Sequence, residues 1–209
     1  MKKIFLTLSL SVLTILAFAS KPHIVDVQIN TEESRVQWIG SKVTESHEGT
    51  VNILKGSLAV NHGKLAGGIV VIDMNSITCT DLEPDAGGDK LVKHLKNEDF
   101  FNTKEFPTAE IKITRVDKGS TEGAYKVLAN LTIKGITRPV SFAANIKFDN
   151  LKFSAEANIK IDRTKWNVRY GSGTFFENLG DRMIKDEIEF NVYLLSYHLN
   201  SQKKYLNHI

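Results

Sequence analysis

Apolar and polar residues alternate with period two over most of the chain. Phe153, Ala155, Ala157, Ile159 and Ile161 share one parity, with Ser154, Glu156, Asn158 and Lys160 on the other. Ile188, Phe190, Val192 and Leu194 repeat the pattern against Glu187, Glu189, Asn191 and Tyr193. Ile111 and Ile113 alternate with Glu110, Lys112 and Thr114, and runs from Val127 to Ile133 and Val140 to Phe148 continue it. Such spacing predicts antiparallel strands with one buried face. Lys134 to Pro139 is expected to be a turn, Asp149-Asn150 a tight hairpin, and Gly67-Gly68 the opening of a strand from Ile69 to Met74. Leu91 and Leu95, four apart behind Gly87-Gly88-Asp89, predict a short amphipathic helix over 90–96, N-capped by Asp89 and ending near Asn97. The runs amount to about eight strands with this helix inserted. No repeat or linker divides them, and so long an antiparallel sheet must remove its edges, which favours a closed barrel over a sandwich.

The N-terminus follows another rule. Met1-Lys2-Lys3 is a basic start, Ile4 to Phe18 is largely apolar, and Ala17-Phe18-Ala19 is a small-x-small cleavage pattern. Residues 1–19 are therefore expected to be a signal peptide, with a mature domain over 20–209 exported to the periplasm. The apolar run falls short of the ~20 residues of a membrane-spanning helix. Removing Lys2 and Lys3 shrinks the excess of 27 basic over 24 acidic residues to one, which argues against a nucleic-acid partner. The single cysteine, Cys79, leaves no intramolecular disulfide, so the core must hold the fold.

An eight-stranded barrel is about wide enough either to fill its lumen with side chains or to hold one small ligand. Phe153 and Ile161 bracket Ala155 and Ala157, and Ala144 lies between Phe142 and Ile146. Small residues at mid-strand leave volume for a ligand; aromatics from facing strands filling it is the alternative. Catalytic patterns are missing. The histidines have no ligand-pair spacing, and Gly171-Ser172-Gly173 is a glycine-flanked serine rather than a nucleophile elbow. An enzyme acting on a hydrophobic substrate inside the barrel and a packed-barrel interaction domain remain as alternatives to a carrier. Extraction of lipid from the pure protein separates the last, and a turnover assay the first.

Several blocks together resemble the YceI-like family of secreted bacterial lipid-binding proteins. They are Ser34-Arg35-Val36-Gln37-Trp38-Ile39-Gly40, Gly67-Gly68 leading to Ile72-Asp73-Met74-Asn75-Ser76-Ile77, and His94-Leu95-Lys96-Asn97-Glu98-Asp99-Phe100-Phe101 continuing to Phe106-Pro107-Thr108-Ala109. Leu131 to Val140, Ile161 to Tyr170 and Lys185 to Phe190 complete the set, which spans Thr31 to about Leu195. The resemblance implies an all-β fold: an extended antiparallel eight-stranded lipocalin-like barrel with a short inserted helix. It also implies an exported, non-catalytic protein that holds a polyisoprenoid or similar amphiphilic lipid for transport or storage, often in connection with isoprenoid quinones. No cofactor or metal is implied beyond the bound lipid, and transient contact with a membrane surface fits the role.

On that reading the lumen-lining candidates are Trp38, Phe100, Phe101, Phe106, Ile111, Ile113, Phe142, Ala144, Phe153, Ala155, Ala157, Ile159, Ile161, Trp166 and Phe190. Plain core packing is the alternative for Phe100, Phe101 and Phe106. The polar mouth is expected at His94, Asp162, Arg163 and Tyr170, with an Asp162–Arg163 ion pair holding two strands as the alternative. Two stretches depart from the family pattern: the tail 196–209, and the Tyr170 to Asp181 loop with Phe175-Phe176, a loop of the kind that shapes a ligand entrance.

Overall fold

A computed structural model of the chain describes residues 24–149 and 152–197. The signal peptide expected over 1–19, most of the C-terminal tail and the tip of the hairpin expected at Asp149-Asn150 lie outside the described residues. The strands are β1 (Ile24–Gln28), β2 (Arg35–Lys42), β3 (Ser46–Asn61), β4 (Lys64–Asp73), β5 (Thr108–Lys118), β6 (Ala124–Ile133), β7 (Ile136–Asp149), β8 (Lys152–Asp162) and β9 (Ile184–Leu195). They pair in the order β1-β3-β2-β9-β8-β7-β6-β5-β4, and β3 also pairs with β4. That last ladder joins the ends of the sheet. The molecule is a closed eight-stranded antiparallel barrel with one extra strand and a short helix, as the alternation predicts.

The extra strand arises from the length of β3. Its first part pairs with β2, from Ser41↔Ser46 to Val36↔Val51. Its last part pairs with β1, from Gln28↔Ser57 to Ile24↔Asn61. A bridge from Ile29 to Ser196 brings the end of β1 alongside the chain leaving β9. β1 and β2 thus lie end to end and share one place in the wall.

Local chemistry corrects several boundaries. The β6–β7 connection is two residues, Lys134 (φ 49°) and Gly135 (φ 70°), so Ile136 to Pro139 belong to β7. Both torsions are positive, as a tight hairpin turn that matches strand twist requires. β4 begins at Lys64 and carries Gly67-Gly68 inside it. A Cβ at Gly68 would lie 2.8 Å from the Ser57 carbonyl oxygen, so close strand approach explains this glycine. The helix α1 (Asp89–Lys96) forms where expected and stops at Asn97, but its N-cap is Gly88. Asp89 is the first helical residue, where its charge favours the positive end of the helix dipole.

Helix α1, the segment to Phe106, the β2–β3 and β6–β7 turns and the start of β9 gather at one end of the barrel, here termed the helical end. The far end carries β1 and the β3–β4, β5–β6 and β7–β8 turns. Ser196 ties it together: its Oγ accepts from the Phe153 N–H (2.9 Å), and its own N–H donates to the Phe153 carbonyl (3.0 Å).

Candidate functional site

The barrel encloses a cavity of about 200 Å³. Its wall is built from inward-facing residues of β2 to β9. Val36, Trp38, Val70, Ile111, Ile113, Val127, Phe142, Ala144, Ala155, Ala157, Ile159, Ile188 and Phe190 contribute to it. Leu95, Phe100, Phe101, Met74 and Ile77 line it at the helical end. Trp38 is fixed by its indole N–H donating to the Thr78 carbonyl (3.0 Å). Gly40 faces open space, because a Cβ there would meet nothing within 4 Å. The exposed Glu156 and Lys185 touch the margin, and Arg163 is the buried charged residue of the lining.

Arg163 sits just past the end of β8 and is 1% exposed. Its Nη1 donates to the Val168 carbonyl (2.7 Å), its Nη2 to the Ile184 carbonyl (3.0 Å) and its Nε to the Lys185 carbonyl (3.1 Å). Its ion-pair partner is Asp186, at 3.4 Å. The guanidinium carbon lies 5.5 Å from the centre of the Phe100 ring. Burial pulls the guanidinium pKa down while Asp186 and Asp162 oppose it, and an arginine in such company stays charged. Asp162 plays another part: its Oδ1 accepts from the Thr164 N–H (3.0 Å) and hydroxyl (2.6 Å), capping the 3₁₀ turn Arg163–Trp166. The alternative of an Asp162–Arg163 ion pair therefore gives way to Arg163–Asp186.

His94 packs edge-on against Phe100 (5.7 Å between ring centres) and Tyr170 (4.5 Å). Its Nε2 is buried and has no hydrogen-bond partner. Burial lowers the His94 pKa, with Asp99 pulling the other way. The folded state therefore disfavours the proton that the unfolded chain accepts below about pH 6.5. Stability is full above that pH and declines as the pH falls from it towards the lower folded-state pKa. Melting temperatures at pH 7.5 and 5 should fall more for the parent than for His94→Phe; equal falls would remove His94 as the cause.

Eleven of the fifteen lumen candidates lie on the cavity: Trp38, Phe100, Phe101, Ile111, Ile113, Phe142, Ala144, Ala155, Ala157, Ile159 and Phe190. Four do not. Phe106 packs at the β6–β7 turn, where a Cβ on Gly135 would come within 3.2 Å of its ring. Phe153, buried and tied to Ser196, belongs to the far-end core. Ile161 has the inward parity and is buried near the end of β8, but it does not border the cavity. Trp166 follows β8 and is buried with its indole N–H on the Leu131 carbonyl (3.0 Å). Of the polar candidates, Arg163 reaches the cavity, His94 and Tyr170 stand behind Phe100, and Asp162 is a cap.

The sequence reading missed Val51, Leu58, Val70, Met74, Ile77 and Ile184, which also line the cavity. Outside the barrel, His47 pairs with Asp81 (2.9 Å), whose other oxygen accepts from the Cys79 thiol (3.2 Å). Burial and that hydrogen bond push the Cys79 pKa up, the opposite of an activated nucleophile. Among the described residues no group of three or more His, Cys, Asp or Glu side chains is placed to hold a metal ion.

Residues 27–195 match the YceI-like domain. The chain belongs to the YceI-like family. It is 34% identical over 100 residues to a UPF0312 protein of Yersinia enterocolitica, a stretch covering 44% of this chain and 47% of that one. The chain thus spans about half the length of the curated relatives it matches. Among solved structures, BcnA of Burkholderia cenocepacia superposes with a TM-score of 0.64 at 19% identity, over 81% of this chain and 99% of that one. A polyisoprenoid-binding domain of Saccharophagus degradans, implicated in plant cell wall breakdown, gives 0.62 at 16% identity, over 85% and 99%. At these identities the likeness speaks for the fold: YceI-like barrels share this architecture.

Proposed function

We propose that the protein is an exported, non-catalytic carrier that holds the tail of a polyisoprenoid or similar amphiphilic lipid in the barrel. The observation that carries this reading is the cavity, walled by aliphatic and aromatic side chains from eight strands and meeting one buried charge, at Arg163. A chain of methylenes and methyls satisfies such a wall, whereas a polar substrate would leave its own groups unpaired. Burial is worth ~0.8 kcal/mol per CH₂ relative to water. A lipid leaving a bilayer gives up a similar amount, so loading is close to neutral and reversible, as delivery demands. Membership of the family and the ligand named for the Saccharophagus degradans domain support this class of ligand. Within it, an isoprenoid quinone would direct its oxygenated ring towards Arg163, His94 and Tyr170.

The test is mass spectrometry of organic extracts from the gently purified, exported protein. One long-chain lipid should be recovered unchanged at close to one per protein, with an intact protein mass that starts near Ser20. Protein that is empty as isolated, and takes up no prenyl lipid from vesicles after delipidation, would overturn the carrier reading. Conversion of the extracted lipid on re-addition would instead make the protein an enzyme.

A further inference from the structure

We propose that the rim of the helical end, formed by the Tyr170 to Asp181 loop and the neighbouring β2–β3 turn, docks on a lipid bilayer and passes lipid tails to the cavity. This rests on the carrier reading and adds where the exchange takes place. Phe175 and Phe176 are 44% and 50% exposed, Tyr170 is 48% exposed, and Val43 in the adjacent turn is 52% exposed. Four large apolar or aromatic side chains left in water at one end of a barrel mark an interaction surface.

These side chains are presented on a built base. Ser172 is fully buried, and its carbonyl accepts from the N–H groups of Phe175 (3.1 Å) and Phe176 (3.0 Å). The Thr174 hydroxyl donates to Asp186 (2.7 Å). Ser172 bridges to Ile184, which lines the cavity and pairs with Lys42 beside Val43. The exposed residues therefore lie beside the cavity's helical end, where β9 begins. From the surface, Tyr170 touches His94, His94 touches Phe100, and Phe100 packs on Phe101 (5.0 Å), which lines the lumen. An unbroken run of rings leads from water to the cavity.

The charges decide what the rim fits. Lys42 is paired with Glu45, and Arg163 takes Asp186. Arg169 lies over the Phe175 ring at 4.4 Å. Arg182 and Lys185 face Glu177 and Asp181 in sign, so the rim is nearly balanced. A balanced rim with exposed aromatics suits the interfacial region of a bilayer, where aromatic rings settle at head-group level and Arg169 meets phosphates. Insertion rather than net charge should then drive binding.

Flotation of the exported, full mature protein with phosphatidylcholine vesicles tests this. The parent should float at low salt and at 0.5 M salt alike. Phe175→Ser/Phe176→Ser should lose about tenfold in partitioning and, once delipidated, take up lipid from the vesicles more slowly, with unchanged melting, and Phe175→Trp/Phe176→Trp should float as the parent does. Failure of the parent to float, or equal flotation of the serine variant, overturns the proposal. So does a dimer that only the serine changes dissociate, which would place a second copy on this face. If lipid co-purifies while nothing floats, the carrier reading stands and the docking surface falls; flotation of a protein that never carries lipid gives the converse.

Discussion

Ala157→Phe should empty the barrel of lipid and leave it folded. Ala157 pairs with Ala144 across β7 and β8, both methyl groups face the cavity, and neither residue is fully buried. The added phenyl ring occupies the volume a lipid tail would take. In a lumen with spare space it settles without strain; in one packed solid the same change would cost ~1–3 kcal/mol through forced rotamers. The expected result is a melting temperature within a few degrees of the parent, with extractable lipid reduced by about tenfold or more. Gly40→Leu approaches from β2, where a side chain meets nothing at first, and should give the same result. Asn158→Phe, one residue along on the outer face, should keep its lipid. Lipid retained in both filled variants would mean that the ligand lies elsewhere.

The parity behind that experiment was legible in the sequence, and the failures nearby show what parity leaves out. In β8, and in β9 from Ile188 to Leu194, every second residue is apolar without interruption, so the inward faces could be read off directly. β3 carries the same signal in two pieces, Val51 and Ile53 on odd positions, then Leu58 and Val60 on even ones. Its pairing with β4 shifts between Ile53 and Lys55, and Leu54 at the bulge is 53% exposed. A bulge inserts one residue and reverses which parity faces inward. An alternation rule applied across it sees no strand, and β3 and its cavity residues were lost.

Depth along the barrel is a second quantity that alternation does not encode. Phe153 shares the face of Ala155, Ala157 and Ile159 but sits at the far end of β8, beyond the cavity. Trp166 and Phe106 belong to connecting segments, where no period applies, and only the fold decides what they pack on. The polar set shows the same limit. Sequence neighbours Asp162 and Arg163 suggested a pair, yet a strand that ends in a capped 3₁₀ turn swings consecutive side chains apart. The arginine then finds Asp186, which lies across the sheet and could not be linked to it by spacing.

That arginine should prove the least replaceable polar residue of the fold. Arg163→Met removes a planar donor set from three main-chain carbonyls, those of Val168, Ile184 and Lys185, in two separate segments. With 1% of Arg163 exposed, water has little access to take its place. Leaving a buried acceptor unsatisfied costs ~1–3 kcal/mol, and here three carbonyls lose their donor together. These costs overlap on one side chain, so the expected loss is about 3–5 kcal/mol, read as a lower urea midpoint with an unchanged slope. Arg163→Lys should recover little of it, because an ammonium cannot reach three carbonyls spread around a flat fork. Asp186→Asn should cost only about 1 kcal/mol, since Asp186 is partly solvated and the carbonyl bonds survive. The order separates two accounts of the site. If the ion pair held the helical end together, Asp186→Asn would be as damaging as Arg163→Met. If the carbonyl bonds hold it, both substitutions of Arg163 are severe and Asp186→Asn is mild. Because Ile184 and Lys185 border the cavity and Phe100 lies against the guanidinium, the carbonyl account also expects the surviving folded Arg163→Met protein to lose its lipid.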